Sequence, residues 1–184
     1  RLEVEEECAQ LEADRVQIET NYEAMLDRFV GKLDLVCVPT GIASHERMTI
    51  RALEAGANVY LEKPAAGTTA EIDRMIAARE NCQRQVAVGF QILYSEAFRE
   101  GKRRLLAGEI GPIQEVAASG CTPRKQSYYE RNDWAGRIKS GGRKVLDSPA
   151  NNALSHFLIA GLFLAGGHVE HAVVPRGDGL AEIG

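Results

Sequence analysis

The sequence predicts an α/β fold in which a parallel sheet with crossover helices comes first and a second domain follows. Short apolar runs alternate with longer amphipathic segments up to about residue 90. This order is typical of parallel strands joined by helices. Beyond residue 90 the alternation stops, although helical and extended patterns continue. We therefore expect one domain at 1–90 and another at 91–184.

The first segments are identified by their hydrophobic spacing. Leu2 to Ala13 is rich in Glu and Ala with a loose apolar face, which favours a surface helix. Arg15 to Glu19 alternates between polar and apolar residues and predicts a short strand. Tyr22 to Phe29 is expected to form a helix, and either Thr20 or Asn21 can cap it.

The next strand and helix are bounded by turn residues. The apolar run that ends Asp34 to Val38 predicts a strand buried on both faces. After a turn, His45 to Ala55 is expected to be a helix that Gly56 closes. Asn58 to Glu62 predicts the following strand.

The pattern repeats once more and then changes. A helix capped by Thr68 or Thr69 and a strand at Gln85 to Gly89 complete the first domain. The second domain is expected to contain, in order, a helix at Ser95 to Ala107, a strand at Ile113 to Ser119, a turn at Ser140 to Gly142 and an apolar helix from Pro149 to Leu164.

Composition limits the class of protein. The chain has 22 basic and 26 acidic side chains, a net charge of −4, which disfavours binding to nucleic acid or to an anionic membrane. No apolar run approaches the roughly 20 residues of a membrane span.

Cysteine and histidine spacing gives no sign of a metal site. Cys8, Cys37, Cys82 and Cys121 include no C-x-x-C pair, so neither a zinc site nor a disulfide framework is predicted. His168 and His171 lack a third ligand nearby. Reduced thiols indicate a cytoplasmic location.

The tripeptide Glu62-Lys63-Pro64 is the most specific local signal. It lies at the end of a predicted strand, and the proline holds Lys63 in an extended conformation. Ligands of open α/β sheets bind beyond the carboxyl ends of the strands, so Lys63 is expected to point into such a crevice. The alternative is a solvated lysine before a turn proline.

An ordered set of motifs surrounds this lysine. The set resembles the glucose-fructose oxidoreductase, inositol dehydrogenase and MocA (Gfo/Idh/MocA) family over about positions 20 to 166. In chain order it consists of Asp34-Leu35-Val36-Cys37-Val38-Pro39-Thr40, His45, Ala52-Leu53-Glu54-Ala55-Gly56, Glu62-Lys63-Pro64 and Val88-Gly89-Phe90.

The resemblance implies a fold and an activity. It implies a Rossmann domain, then an α+β domain with an open, mostly antiparallel sheet, and hydride transfer between NAD or NADP and a sugar-, inositol- or polyol-like substrate. It also implies a homo-oligomer, either a dimer or a tetramer. No G-x-G-x-x-G turn precedes Glu62, and too few residues follow Gly166 to form the last sheet strands of the family. We therefore expect both domains to be incomplete in these residues.

The resemblance also assigns roles near the first sheet. The essential lysine of the family falls on Lys63, and Thr40, Glu62 and Gln91 fall on positions at the cofactor. His45 is a further candidate for cofactor contact, with a purely structural role at the helix start as the alternative.

Asn152 and His156 form a second constellation. They are four residues apart and are expected to share one helix face. The resemblance places His156 on the family's general acid/base, and Asn152 where the family usually has Asp. An amide cannot supply a negative charge. Asp147 either replaces that carboxylate or serves the helix N-terminus, and we favour capping for Asp147 and a substrate-binding role for Asn152.

An aromatic and basic cluster precedes the Gly141-Gly142 turn. Tyr128, Arg131, Trp134 and Arg137 are candidate substrate-binding residues, because aromatic rings stack on sugars and guanidinium groups hold carboxylate or phosphate. A surface loop or an oligomer contact is the alternative.

The sequence therefore predicts an oxidoreductase in which Lys63, His156 and Asn152 carry catalysis. The rival is a nucleotide-binding sensor or structural protein on the same fold, suggested by Asn152 and by the missing glycine turn. A cofactor-free lyase or hydratase is a smaller alternative.

Overall fold

The structure is a computed structural model that describes residues 2–166, so His168, His171 and the end of the predicted second domain lie outside it. Its helices and strands are, in chain order, α1 Leu2–Ala13, α2 Tyr22–Arg28, β1 Leu35–Val38, α3 Ile42–Glu54, β2 Asn58–Leu61, α4 Thr69–Cys82, β3 Val86–Val88, α5 Glu96–Leu106, α6 Gln126–Glu130, β4 Lys139–Ser140, β5 Arg143–Lys144 and α7 Ser155–Ala165.

The predicted parallel sheet is confirmed. Its strands lie in the order β1-β2-β3, with Leu35 opposite Asn58 and Tyr60 opposite Ala87. Because all three strands run the same way, their carboxyl ends meet at one edge, where Lys63 follows β2. The second sheet in the described residues is the antiparallel pair of β4 and β5.

One face of the sheet is buried, and the prediction that β1 is buried on both faces is wrong for the described residues. Val36 and Val38 are buried, whereas Leu35 is 55% exposed and Cys37 is exposed. Successive side chains of a strand point to opposite faces. Helix α3 packs against β1 and β2 on the buried face, and no described helix covers the other.

Two predicted strands are absent from the described residues. Arg15 to Glu19 has no strand partner, and Val16 and Ile18 are about half exposed. Ile113 to Ser119 is likewise not paired in a sheet. A strand needs a neighbour for its backbone N–H and C=O groups, and period-two alternation alone does not supply one.

The predicted long helix from Pro149 is interrupted. A π-helical turn, Pro149–Ala153, is followed at Leu154 by α7. The carbonyl of Asn152 accepts from Lys63 Nζ at 3.0 Å and from Ser155 Oγ at 2.8 Å. A continuous α-helix would bond that carbonyl to the amide of His156, so the interruption makes the carbonyl available to Lys63.

A buried lysine fixes the other end of α7. Lys102 of α5 is fully buried, and its Nζ donates to the carbonyls of Leu164, at 2.6 Å, and of Gly166. A cation at a helix C-terminus is favourable, although burial lowers the pKa of Lys102. Phe98 and Phe163 stack beside it with centroids 5.6 Å apart. Together these contacts hold α7 against α5.

The β4–β5 hairpin lies against the first half of the chain. Gly141 and Gly142 form its two-residue turn with φ of 53° and 78°, which suits glycine. Arg143 Nη1 donates to the carbonyl of Ala43 at 2.9 Å. A Cβ at Gly67 would overlap the carbonyl oxygen of Lys144, so the hairpin backbone touches the loop that follows Lys63.

No helix among residues 2–166 has both the length and the apolar composition that a membrane crossing requires.

Candidate active site

Lys63 connects the two halves of the described chain. It is the second residue after β2. Its Nζ donates to the backbone oxygen of Asn152 at 3.0 Å and to Oδ1 of the same residue at 2.8 Å. An ammonium has three donors. Groups in the described residues use two of them, which leaves the third for an oxygen atom of a ligand.

The amide of Asn152 is held in one orientation. Its Oδ1 accepts from Lys63, while its Nδ2 donates to Asp147 Oδ1 at 2.8 Å. The other oxygen of Asp147 accepts from the amide of Gly136 at 2.6 Å. The capping role favoured for Asp147 is therefore wrong: its carboxylate bonds to Asn152 and Gly136, while the first-turn amide of Asn151 donates to Ser148 Oγ.

His156 begins α7 close to the same lysine. Its ring meets Phe90 edge to face, with centroids 5.7 Å apart. The pKa of His156 lies below its usual value, first because burial disfavours the imidazolium and then because the Lys63 ammonium repels it. The Glu62 carboxylate opposes this lowering of the pKa. At neutral pH the ring is therefore in the form that accepts a proton.

His45 is buried between two loops, which favours its structural role at the helix start over contact with a cofactor. Its side chain is 1% exposed. Nδ1 lies 2.9 Å from the carbonyl oxygen of Pro64, and Nε2 lies 2.8 Å from that of Thr40. Both ring nitrogens are thus occupied by backbone groups. His45 instead ties the loop after β1 to the loop after β2.

A small cavity lies at the carboxyl ends of β1 and β2. Its volume is about 130 Å³, and it is lined by Cys37, Val38, Pro39, Tyr60, Glu62 and Gln91. Two predicted cofactor residues, Glu62 and Gln91, therefore face one space. Thr40 is exposed next to it, with Oγ1 3.6 Å from Met48 Sδ.

A second cavity, of about 260 Å³ and larger than the first, has Asn152 in its wall. Its wall is made of Gly120, Cys121, Thr122, Arg124, Tyr128, Tyr129, Gly136, Asp147, Ser148, Pro149, Asn152, Ala153 and Leu154. Of the predicted substrate residues, Tyr128 and Asn152 line this cavity.

The other members of the predicted cluster lie elsewhere. The Arg131 guanidinium is 3.9 Å from the centroid of Tyr128 and 5.4 Å from that of Trp134. Trp134 packs on the start of α3, with Nε1 3.3 Å from the place of a Cβ on Gly41. Arg137 is exposed and does not line the cavity.

Sequence reasoning did not select Arg124 as a site residue. Its guanidinium lies 4.7 Å from the centroid of Tyr128, in the wall of the larger cavity. The sequence could have indicated Arg124 as a site residue, since it begins the aromatic and basic run that also contains Tyr128 and Arg131. Within the described residues, no group of three His, Cys, Asp or Glu side chains is arranged to hold a metal ion.

Comparison with known proteins identifies the family. Residues 2–90 match the model of the Gfo/Idh/MocA family, described as an oxidoreductase family with an NAD-binding Rossmann fold. The description names the cofactor class that the sequence predicts.

Two curated relatives cover similar parts of the chain. A dTDP-3,4-didehydro-2,6-dideoxy-alpha-D-glucose 3-reductase of Streptomyces violaceoruber is 28% identical over 58% of this chain and 30% of its own length. An inositol 2-dehydrogenase of Salmonella paratyphi B is 32% identical over 56% of this chain and 32% of its own length. The chain thus matches about a third of the length of these relatives.

A solved structure extends the likeness beyond residue 90. The WlbA dehydrogenase of Bordetella pertussis, in complex with NADH and UDP-GlcNAcA, has a TM-score of 0.74 and is 24% identical. The match covers 86% of this chain and 44% of WlbA, and it shows a shared fold. On this match, residues 2–90 belong to the Gfo/Idh/MocA oxidoreductase family, described with an NAD-binding Rossmann fold.

Proposed function

We propose that the protein is an NAD(P)-dependent dehydrogenase or reductase that transfers a hydride between nicotinamide and a carbon of a sugar-, inositol- or polyol-like substrate. The observation that carries the proposal is the meeting of Lys63, Asn152 and His156 at the carboxyl edge of the parallel sheet. The two curated relatives are named as a sugar reductase and an inositol dehydrogenase, which supports this substrate class.

The cavity beside β1 and β2 fits one part of a dinucleotide. It combines apolar walls with the polar side chains of Glu62 and Gln91. At about 130 Å³ it is smaller than the roughly 300 Å³ or more of a full ligand pocket, so it would hold the reacting end of the cofactor. When bound there, nicotinamide supplies the site that accepts or releases the hydride.

Lys63 would bind the reacting oxygen of the substrate. Its third N–H bond can donate to that oxygen while the two bonds to Asn152 fix its position. A nearby positive charge stabilises the alkoxide relative to the alcohol and so lowers the pKa of the hydroxyl. Lys63 thus makes proton removal easier and orients the carbon that reacts.

His156 would accept the proton. In the oxidation direction the proton leaves the substrate oxygen for a ring nitrogen of His156, and the carbon is left ready to give up its hydride. The lowered pKa of His156 keeps the ring neutral at pH 7, as a general base requires. In the reduction direction the same group returns the proton to the oxygen.

Replacement of Lys63 by alanine tests the proposal. We expect Lys63→Ala to abolish turnover without unfolding the protein, since Lys63 is not part of the hydrophobic core. The readout is the absorbance of reduced cofactor, with NAD and with NADP, over sugars, inositols and sugar acids. Lys32→Ala is the control, because Lys32 is exposed and precedes β1 at the opposite edge of the sheet.

The outcomes separate the proposal from its rival. If the wild type turns over a substrate and Lys63→Ala turns it over at the same rate, Lys63 is not a catalytic residue. Binding of NAD or NADP with no reduction on any substrate would favour a nucleotide-binding sensor instead.

A cytoplasmic location and a homo-oligomer of two or four chains remain predictions. The mass of the purified protein, measured by light scattering, tests the second.

A further inference from the structure

The segment around the larger cavity has a charge opposite to that of the whole chain. Between residues 120 and 154, the stretch that supplies every residue of the cavity wall, there are seven basic side chains and three acidic ones, an excess of four positive charges. The chain as a whole has a net charge of −4. A local field of this sign attracts anions over distances of about 10 Å at moderate ionic strength.

Two of these cations are fixed on one aromatic ring. The guanidinium carbons of Arg124 and Arg131 lie 4.7 and 3.9 Å from the centroid of Tyr128. Contact with a ring restricts the motion of each guanidinium and leaves its edge N–H groups for an anion. Two like charges near one ring repel each other, and a bound anion would offset that repulsion.

The neighbouring carboxylates are already engaged. Asp147 accepts from Asn152 and from the amide of Gly136. Glu130 accepts from Gln126 at 2.9 Å, and Asp133 accepts from Ser140 at 2.6 Å.

Neither arginine on the ring has a carboxylate partner in the described part of the chain. Among the side chains that the structure describes, no carboxylate lies within 4 Å of the guanidinium of Arg124 or Arg131. Their charge is therefore available to a ligand.

The cavity connects this charge to the proposed reaction centre. Arg124 and Asn152 line the same space of about 260 Å³, and Asn152 holds Lys63. A substrate whose reacting hydroxyl lies at Lys63 can therefore extend past Asn152 towards Arg124.

We propose that this cavity is a subsite for an anionic substituent of the substrate, a carboxylate or a phosphate, held by Arg124, with the positive charge of Arg131 nearby on the same ring of Tyr128. The inference rests on the proposed function for the position of the reacting hydroxyl. It narrows the substrate from a neutral sugar or polyol to a sugar acid or a phosphorylated sugar.

Calorimetry on the intact protein tests the subsite without requiring turnover. Glucose, glucuronate and glucose 6-phosphate are titrated into the wild type, Arg124→Gln and Lys32→Gln. We expect the wild type to bind an anionic sugar at least about tenfold more tightly than glucose, the effect of a hydrogen bond to a charged group. In Arg124→Gln this preference should fall to about one, whereas Lys32→Gln, changed at the opposite sheet edge, should keep it.

The outcomes also separate this proposal from the proposed function. Equal binding of the three sugars, or a preference that survives in Arg124→Gln, overturns the subsite. Tighter binding of glucuronate would identify the anionic substituent as a carboxylate, and tighter binding of glucose 6-phosphate would identify it as a phosphate. If anionic sugars bind more tightly than glucose but no substrate reduces the cofactor, the subsite stands and the proposed oxidoreductase activity is overturned. If neutral sugars reduce the cofactor but anionic sugars bind no more tightly than glucose, the activity stands and the subsite is overturned.

Discussion

Asn152 and Asp147 form a hydrogen-bonded pair next to Lys63. The Gfo/Idh/MocA resemblance puts an acid at the position of Asn152, where this chain has a neutral amide. The carboxylate of Asp147 lies one hydrogen bond further away, 2.8 Å from Asn152 Nδ2. A negative charge is therefore still present near Lys63. Asp147 holds the Asn152 amide so that its oxygen faces the Lys63 ammonium.

Asp147→Asn tests this positioning role. The new amide places an N–H₂ group in reach of Asn152 Nδ2 or of the Gly136 amide, and two donors cannot bond each other. We expect kcat to fall by about tenfold, with a smaller change in KM, because Lys63 loses its fixed position.

Asp133→Asn is the matched control for that experiment. Asp133 is exposed and bonded to Ser140, away from Lys63. A loss of activity shared equally by both variants, or a loss explained by unfolding alone, would contradict the positioning role.

The pKa of His156 should respond to its two charged neighbours. In Lys63→Ala the pKa should rise, because the ammonium that repels the imidazolium is gone. In Glu62→Gln it should fall, because the carboxylate that stabilises the imidazolium is gone. NMR titration of the His156 ring measures both shifts, and an unchanged pKa in Lys63→Ala would show that the two groups do not interact.

The activity should follow the same ionisation. Oxidation needs neutral His156, so its rate should fall as the pH drops through the lowered pKa, below the usual value near 6.5, and should be level above it.

At the scale of elements, the start of α4 holds the loop that follows Lys63. Thr68 Oγ1 accepts from the amide of Glu71, while Glu71 Oε2 accepts from the amides of Thr68 and Gly67 at 2.9 and 3.1 Å. This capping box satisfies amides that the helix itself cannot. The loop between β2 and α4 is thereby tied to the helix.

Thr68→Ala should lower the free energy of unfolding by about 1 kcal/mol. Thr69→Ala is the control, since Thr69 is exposed at the first helical position and its side chain makes no described hydrogen bond. Urea unfolding of both variants measures the difference. Equal stability of the two would mean that the cap contributes nothing.

At the scale of the whole molecule, the candidate site depends on contact between parts distant in sequence. Lys63 and Asn152 are 89 residues apart, and Arg143 and Ala43 are 100 apart. The β4–β5 hairpin contacts Gly67 through the backbone of Lys144. This contact keeps the segment containing Asp147 and Asn152 next to Lys63.

Gly67→Ala should weaken this contact. The new methyl group would overlap the carbonyl oxygen of Lys144, and backbone gives way less easily than a flexible side chain. We expect a loss of about 1–3 kcal/mol in the free energy of unfolding together with a lower kcat/KM, measured by urea unfolding and steady-state kinetics.

Gly101→Ala serves as the control. A Cβ at Gly101 would meet nothing within 4 Å, and alanine favours a helix interior by up to about 1 kcal/mol. If Gly67→Ala proved as stable and as active as Gly101→Ala, the hairpin would not be needed to align the site.

The order of strands and helices up to residue 90 could be predicted from the sequence, because local signals decide it. Alternating apolar runs, Asn21 as a cap and Thr68 with Glu71 act within a few residues of each other. The location of Lys63 at a strand end follows from the same signals. Period-two patterns fail where a strand lacks a partner, as at Arg15 to Glu19.

The tertiary structure alone decided what these side chains touch. Burial of His45 between two backbone carbonyls, the bond of Asp147 to Asn152 and the place of Arg124 in a cavity wall all depend on how separate elements pack. Sequence spacing fixes which residues share a strand or helix face. The direction and partner of a side chain are set by groups that the fold brings together from far along the chain.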